Sequence, residues 1–453
     1  MRAHALEMVF WICIGGVAYN YVGYPLLLFA FSVLSQAKSD CLYLISRHSR
    51  RCPRSNDDLP RVALLMSVYN EAAVIQSKVK NALETDYPSD RLEFLIGLDA
   101  PTDSTAELLS QTQSSWLRVF RFHRQRGKLA VLCALAQQTS AEIVVFTDAN
   151  TMLEPKCIRN LVRHFADPQV GAVSGEETRV VAPGTDPAAE SLYWRYESAL
   201  KLLETRLNCS LGGNGSVLAL RRSLFHPRKQ TVVEDFQISL EIRLRGYRVV
   251  YDPEAIAVEE IPPTLSAQFA RRIRIGAGNY QALFGNLECL NPLKGLLAFS
   301  FFSHRVLRWL APLLLVIAFS CSVSMAAQNK FATLAGAQCL FYLAAFLGYG
   351  LKKKGKPHRL LSVPFHFCLM NVALLFGFFR YLRGVKTLAW KSTPRRVRPE
   401  TALDKGIGDR RPQQGAVDVS CFPAYQGADL TRVDTQPSLP DPQLSGEFTA
   451  SMH

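Results

Sequence analysis

The residues with the clearest chemical meaning are an acidic pair and, further along the chain, a cluster of arginines. The pair is Glu234-Asp235, and the later cluster contains Gln268, Arg271, Arg272 and Arg274. An aspartate within reach of a hydroxyl can act as a general base, with Glu234 orienting it or the acceptor. Guanidinium groups bind phosphate oxygens through paired hydrogen bonds. The pattern favours chemistry in which Asp235 removes a hydroxyl proton while Arg271 holds a departing diphosphate. Acidic helix-start residues and a cationic interfacial helix are the simpler interpretations.

A second acidic pattern follows the apolar run Ile143–Phe146, which is typical of a buried strand. Asp148 and Asn150 then place two side-chain oxygens on one side of the turn after that strand. Hard divalent cations bind such oxygens together with substrate phosphates. We therefore predict that Asp148 and Asn150 bind Mg²⁺ or Mn²⁺. An Asx turn without a metal is the alternative interpretation.

Three further polar turns adjoin predicted elements of the same region. Tyr69-Asn70-Glu71 ends the first predicted strand, and Asp99 ends the second. Lys128 opens a predicted helix, where a cation and free backbone amides suit a diphosphate. These residues predict contacts to a nucleotide, with Asp99 accepting a hydrogen bond from the base. Each could instead belong to an ordinary turn, with Asn70 capping a helix.

The elements that must position these residues alternate between strand-like and helix-like patterns. This alternation runs through residues 61–261 and predicts one α/β domain with a mostly parallel sheet covered by helices on both faces. Ligands in such sheets bind outside the carboxyl ends of the strands. The turns that follow predicted strands are therefore expected at that edge.

The composition indicates a membrane rather than nucleic acid. The chain of 453 residues is 48% hydrophobic and has a formal net charge of +14. Its basic residues flank apolar segments, as the positive-inside rule describes, whereas a nucleic-acid binder gathers them on one face of a soluble fold. The eleven cysteines lack zinc-ligand spacing, so we expect reduced thiols. The basic flanks are Arg47–Arg54, Lys352–Arg359 and Arg380–Arg398.

Apolar segments lie on both sides of the α/β domain. Met8–Leu34 is uncharged and long enough to cross a bilayer, so we predict a retained anchor over residues 1–40. Residues 262–303 mix basic and apolar side chains, which predicts interfacial helices. We expect a transmembrane region at 304–390 and a disordered tail at 394–453. The predicted C-terminal spans are Val306–Ala326, Phe331–Tyr349 and Leu361–Tyr381.

The charges and the spans are in conflict. The positive-inside rule places the α/β domain, the Lys352–Arg359 loop and the Arg380–Arg398 segment on one side of the membrane. One N-terminal span and three C-terminal spans cannot satisfy all three. Either one apolar segment is re-entrant, or Leu296–Phe302 crosses with its neighbours.

The ordered set of motifs resembles the membrane-bound family 2 glycosyltransferases over roughly Arg61 to Trp309. This family includes hyaluronan, chitin, cellulose and poly-N-acetylglucosamine synthases and their bacterial exopolysaccharide relatives. The resemblance implies a GT-A (Rossmann-like) cytosolic domain between an N-terminal transmembrane helix and a C-terminal helical membrane region. It also implies inverting transfer from a nucleotide sugar, most often a UDP-sugar, at the cytoplasmic face of the bacterial inner (plasma) membrane.

The resemblance assigns roles residue by residue. Tyr69, Asn70 and Glu71 match the first nucleotide loop, Asp99 the uracil contact, and Lys128 the Gly-Lys element. Asp148 matches the metal-binding Asp-x-Asp motif, in which Asn150 replaces the second aspartate. Asp235 matches the catalytic base of the Glu-Asp motif. Gln268, Arg271 and Arg272 match Gln-x-x-Arg-Trp, with Arg272 in place of the tryptophan that helps to hold the acceptor sugar.

The expected activity is transfer of a sugar from a nucleotide donor to a glycan or lipid acceptor in exopolysaccharide synthesis. The Arg272 substitution keeps open a non-processive enzyme that adds one sugar to a lipid-linked or growing glycan. A non-catalytic nucleotide-sugar sensor is a third possibility. The expected partners are the nucleotide sugar, the acceptor, membrane lipids and an export or regulatory protein, without nucleic acid.

Overall fold

A computed structural model describes residues 2–46, 59–112, 116–180, 188–227, 231–260, 264–356 and 358–384. The predicted tail at 394–453 and the basic segment Arg47–Arg54 lie outside these residues.

The α/β domain is built on an eight-stranded mixed sheet in the order β3-β2-β1-β4-β7-β6-β8-β5. Strands β1 to β4 pair in parallel, as predicted, whereas β7 runs antiparallel to both of its neighbours and β5 runs antiparallel to β8. Every residue of β1 is buried, because both faces of the sheet are covered. The strands are β1 (Val62–Val68), β2 (Leu92–Asp99), β3 (Leu117–Phe122), β4 (Ile143–Thr147), β5 (Thr151–Leu153), β6 (Val170–Val180), β7 (Val217–Arg221) and β8 (Arg248–Glu260).

Thirteen α-helices in the described residues complete the fold. Two hydrophobic cores lie on opposite faces of the sheet, since alternate residues of β1 such as Leu64 and Leu65 belong to different cores. The domain helices are α3 (Ile75–Leu83), α4 (Thr105–Ser110), α5 (Lys128–Ala136), α6 (Cys157–Arg163), α7 (Ala188–Arg206), α8 (Glu234–Leu244) and α9 (Leu265–Gly285). The flanking helices are α1 (Arg2–Ala18), α2 (Tyr24–Ser46), α10 (Leu296–Ser300), α11 (Leu307–Ser324), α12 (Asn329–Lys353) and α13 (Arg359–Leu382).

Four helical segments in the described residues are long and apolar enough to cross a membrane. A π-helical turn joins α1 to α2, and another joins α10 to α11. Leu296–Phe302 therefore forms the first turns of one continuous helix with its neighbours. The four segments are His4–Ile45, Leu296–Ser324, Asn329–Lys353 and Arg359–Leu382.

A buried polar cluster connects the apolar helices to the α/β domain. His304 Nδ1 lies 2.6 Å from Glu204 Oε1 on α7, and the Tyr24 hydroxyl donates to the same oxygen at 2.7 Å. Arg308 pairs with Glu197, also on α7. Because buried charges must be paired, this cluster holds α2, α11 and α7 in one arrangement. The apolar helices therefore help to orient the domain.

Candidate active site

Asp235 lies in the first turn of α8, where the glycine-rich loop 212–216 passes its carboxyl group. Its Oδ2 accepts a hydrogen bond from the Gly215 amide at 2.9 Å, and its Oδ1 accepts one from the Phe236 amide at 2.8 Å. A Cβ atom at Gly215 would lie 3.2 Å from Asp235 Cβ, so a glycine permits this close approach. Burial and the neighbouring Glu234 raise the pKa of Asp235 to about 6, although Lys128 opposes them. A carboxylate with this pKa can accept a proton near neutral pH.

Lys128 joins segments that are distant in sequence. Its Nζ lies 2.8 Å from Asp148 Oδ1 and 3.0 Å from Glu234 Oε1. Burial alone would lower the pKa of Lys128, but the two carboxylates raise it overall, so the ammonium stays charged. We call Lys128, Asp148, Glu234 and Asp235 the lysine centre. It contains one ammonium for three carboxyl groups, and the excess negative charge suits a further cation.

The lysine centre also has the ligand chemistry of a divalent-cation site. Oxygens of Asp148 and Glu234 already face one cationic group, the ammonium of Lys128. In the described part of the chain, no group of three or more His, Cys, Asp or Glu residues could hold a metal ion alone. Magnesium-type ions commonly take one or two carboxylates and complete their shell with substrate phosphates and water. The residues therefore fit a cation that Asp148 binds together with a nucleotide diphosphate.

Asp99 supports the turn that leads to Lys128. Its carboxyl group is fully buried and accepts hydrogen bonds from the amides of Arg126 at 2.6 Å and Gly127 at 2.9 Å. Gly127 has φ +85°, in the region that glycine adopts at no steric cost, and α5 begins directly after it. Asp99 thereby positions the start of α5. Its contact with a nucleotide base stays a prediction.

The loop 69–71 is tied to the loop that follows β2. Asn70 Oδ1 accepts from the Thr102 amide at 2.8 Å, and Asn70 Nδ2 donates to the Thr102 hydroxyl at 2.9 Å. The buried Glu71 donates its amide to Thr105 Oγ1 at 2.9 Å. Asn70 does not cap α3, because Val74 occupies that position. Asn70 instead joins the two loops predicted to bind the nucleotide, next to a half-buried Tyr69.

Arg271 lies in a second charged cluster. Its guanidinium makes two hydrogen-bonded contacts to Glu259, at 2.9 and 3.1 Å, and Glu259 is only 3% exposed. Glu177 pairs with Arg179 at 2.7 Å and accepts from the Ser216 hydroxyl at 2.9 Å. Burial and Glu177 raise the pKa of Glu259 to about 7, although Arg271 opposes them. We call Arg179, Glu177, Glu259 and Arg271 the arginine centre.

The arginine centre makes hydrogen bonds to two loops that also carry or contact residues of the lysine centre: the turn after β4, at Asn150, and the glycine-rich loop, at Ser216. Asn150 Nδ2 donates to Glu259 Oε1 at 3.0 Å, although we predicted Asn150 as a partner of Asp148 in metal binding. Ser216 connects Glu177 to the loop whose Gly215 amide binds Asp235. The amide of Asn150 is thus engaged in the arginine centre, and its metal-ligand role stays a prediction.

The remaining predicted residues lie on α9. Thr264 caps this helix by accepting from the Ala267 amide at 3.2 Å. Gln268 and Arg272 are both half-buried. Burial lowers the pKa of Arg274, and the carboxylates of Glu234 and Asp148 act against that shift, which places Arg274 within electrostatic range of the lysine centre.

Trp194 and Trp309 have different surroundings, since Trp194 contacts the arginine centre and Trp309 packs in a hydrophobic cluster. Trp194 stacks on the Arg179 guanidinium at 3.8 Å from the ring centroid, so it adjoins the arginine centre. Trp309 is buried in a hydrophobic cluster with Phe236 and Phe301. Trp194 therefore lies beside the arginine centre, whereas Trp309 belongs to the hydrophobic cluster that packs on α8.

Sequence reasoning missed Glu177 and Glu259. Both carboxylates occur in strands, Glu177 in the second half of β6 and Glu259 near the end of β8. The rule that identified Asp99 and Asp148, an acidic residue at the end of a buried strand, also applies to Glu259. Applied to every strand, that rule would have identified one member of the arginine centre.

The eight-stranded mixed sheet, with acidic residues at its edge and apolar helices on either side, has the GT-A fold. Residues 60–278, just under half of the chain, match the family described as glycosyltransferase-like family 2, and this domain is similar to that family. In structure, the chain is similar to a mannosyltransferase from Pyrobaculum calidifontis solved with GDP-mannose and Mn²⁺. The TM-score is 0.62 and the identity 22%, over 83% of this chain and all of that one. At this identity the likeness supports the fold alone.

Two curated relatives are named for different kinds of product, a polysaccharide and a glycolipid. The chain is 26% identical over 240 residues to a poly-β-1,6-N-acetyl-D-glucosamine synthase of Staphylococcus aureus, covering 50% of this chain and 56% of the relative. It is 27% identical over 268 residues to a β-monoglucosyldiacylglycerol synthase of Synechocystis, covering 56% and 55%. The chain thus spans about half the length of the curated relatives that it matches.

Proposed function

We propose that this glycosyltransferase moves a sugar from a UDP-sugar to a hydroxyl of a growing bacterial exopolysaccharide. The catalytic domain would face the cytoplasm from the inner (plasma) membrane. The observation that carries the proposal is the lysine centre, in which a carboxyl group with a pKa of about 6 lies beside a charged lysine and two more carboxylates. Proton acceptance and diphosphate binding are thereby supported in one place.

In the proposed reaction, the Asp235 carboxylate takes the proton of the acceptor hydroxyl. The hydroxyl oxygen then forms a bond to the anomeric carbon from the face opposite the diphosphate. The bond between that carbon and the diphosphate oxygen breaks, so an α-linked donor gives a β-linked product. The electron pair leaves with the nucleoside diphosphate.

The other residues stabilise the leaving group or hold the donor. Lys128 and Arg271 supply positive charge to the departing diphosphate. A divalent cation bound at Asp148 would neutralise further diphosphate charge. We further propose that Tyr69, Asn70, Glu71 and Asp99 form the nucleotide-binding loops, since Asn70 ties the loops after β1 and β2 together.

A second candidate is single-sugar transfer to a lipid acceptor. Arg272 favours it, because a guanidinium replaces the tryptophan expected to hold an acceptor sugar. The relative that makes monoglucosyldiacylglycerol is as similar to this chain as the polysaccharide synthase is. The acceptor class therefore has to be measured.

The test uses the purified full-length chain in lipid nanodiscs with a panel of UDP- and GDP-sugars. Release of nucleoside diphosphate identifies the donor, and mass spectrometry of the product identifies the acceptor. The proposal expects release with a UDP-sugar and a ladder of glycan lengths. A single addition to a lipid would support the second candidate. Absence of release with every donor, in a chain that binds nucleotide, would contradict both.

A further inference from the structure

Helix α13 satisfies the length and composition of a membrane span, but its contacts place both of its ends beside the catalytic domain. Its 24 residues extend about 36 Å, enough to cross a hydrocarbon core of about 30 Å. A crossing helix would have one end on each side of the membrane. The neighbours of α13 therefore decide whether it crosses.

The beginning of α13 lies against the end of α12. The Lys352 ammonium lies 5.5 Å from the Phe365 ring centroid, and the Tyr349 ring lies 6.0 Å from it. A Cβ at Gly348 would clash with the Leu361 carbonyl oxygen, so the two backbones approach closely. One turn later, the His366 ring lies 5.8 Å from Tyr193, in α7 of the catalytic domain.

The end of α13 lies against α9, which carries Arg271. A Cβ at Gly377 would lie 2.8 Å from the Gly276 carbonyl carbon, and Phe284 stacks on Tyr381 at 5.4 Å. Arg380 is within electrostatic range of Arg274 on α9, and Arg274 also interacts electrostatically with Glu234 and Asp148. The last turn of α13 therefore lies beside the end of α9.

The ring contacts of α13 with α12 lie between the middle and the end of α12. Leu374, Phe378 and Tyr381 pack on a cluster that contains Trp309, in the first turn of α11. The opposite end of the bundle is marked by Lys330, whose ammonium pairs with Glu7 at 2.8 Å. On α13, the Phe367 ring contacts Phe341, which lies about midway along α12.

The surface of α13 fits a lipid interface. Part of its surface is buried against the neighbouring helices, and apolar side chains are exposed near both ends and in the middle of the helix. Basic residues stand at both ends, at Lys352–Arg359 and at Arg380 and Arg383. Such a helix buries its apolar face at the acyl boundary while its basic ends meet anionic headgroups. The exposed apolar side chains are Leu360, Val363, Val372, Phe376, Phe379 and Leu382.

We infer that α13 lies in the membrane interface on the catalytic side, packed between α9 and the bilayer, and does not cross. The crossing segments are then the α1–α2 helix, α10–α11 and α12. This arrangement places the catalytic domain, the loop between α12 and α13, and Arg380 at the end of α13 on one side. It therefore removes the conflict between charge and span number. It does not depend on which sugar is transferred.

The test compares three epitope tags inserted singly into the full-length chain and probed with an impermeant antibody before and after permeabilisation. One tag follows Asp90, an exposed residue of the catalytic domain. One follows Ala327, between α11 and α12, and one follows Gly384. The inference expects the Asp90 and Gly384 tags on one side and the Ala327 tag on the other. A Gly384 tag on the side opposite Asp90, or an Ala327 tag on the same side, would overturn it.

A depth measurement covers the case in which a tag disturbs folding. Single nitroxide labels at Leu360, Val372 and Leu382 are compared in vesicles containing anionic lipid. An interfacial helix gives the same shallow depth at all three positions. A deep Val372 between two shallow ends would show a crossing helix and reject the inference.

Discussion

The lysine centre and the arginine centre both combine carboxyl groups with cationic side chains, but they differ in the ratio of negative to positive groups. The lysine centre has one ammonium for three carboxyl groups, whereas the arginine centre pairs Glu177 and Glu259 with two guanidiniums. The excess negative charge of the lysine centre suits the proposed metal, and burial together with Glu234 raises the pKa of the proposed base, Asp235. Balanced charge instead holds Arg271 and Asn150 in place. We therefore expect the first centre to govern turnover and the second to govern donor binding.

The largest effect is expected for Asp235→Asn. This variant keeps the shape of the side chain but removes the proton acceptor, and a positioned general base contributes about 10²- to 10⁴-fold. We expect kcat to fall by that range while the Kd for the nucleotide donor stays within about twofold of the wild-type value. Asp90→Asn, at an exposed carboxylate, is the matched control. Wild-type turnover in a folded Asp235→Asn enzyme would remove Asp235 from the mechanism.

The next effect is expected for Lys128→Gln. It removes the cation between Asp148 and Glu234, and loss of one such stabilising group costs about 10²-fold in kcat. Lys128→Arg should recover part of the loss, because it restores the charge with a different shape. Lys80→Gln, on the exposed side of α3, serves as control. A loss that appears only in KM would place Lys128 in donor binding instead.

A smaller effect is expected for Glu259→Gln. The substitution weakens the paired hydrogen bonds to Arg271, and a difference of about 1 kcal/mol corresponds to about fivefold in donor KM. We expect kcat to change by less than about twofold. Glu254→Gln, on the same strand but paired with Arg163, controls for the loss of an acidic residue. A fall in kcat with unchanged KM would show that the two centres are not separate in function.

The difference between the centres also explains what the sequence could predict. Asp148 and Asp99 follow strands of the parallel half, where consecutive strand–helix units bring carboxyl ends to one edge. Lys128 was predicted from the start of α5. The arginine centre depends on β6 pairing with β8 across a crossover, and strand order of that kind is not encoded in local patterns. Glu259 ends a strand and could have been noticed by the same rule, but its contacts with Arg271 and Asn150 and its closeness to Glu177 could not be assembled from the sequence.

For the helices outside the domain, local sequence patterns again predict the elements but not their long-range contacts. Hydropathy predicted α11, α12 and α13 with nearly correct boundaries, because apolar runs are local. Whether α13 crosses depends on its contacts with α9 and α7, which hydropathy does not contain. In the sequence, the basic residues from Arg380 onwards conflict with the number of predicted spans. In the structure, Arg380 is within electrostatic range of Arg274 on α9, which supports an α13 that does not cross the membrane.

The most direct test of the central claim is the pH dependence of kcat in the wild type and in Glu259→Gln. Two buried carboxyl groups have raised pKa values, Asp235 at about 6 and Glu259 at about 7. A base must be ionised to accept a proton, so turnover should fall as the pH drops below about 6. The account predicts that this break persists in Glu259→Gln. A break near 7 that disappears in Glu259→Gln, or a flat profile from pH 5 to 7.5, would contradict Asp235 as the base.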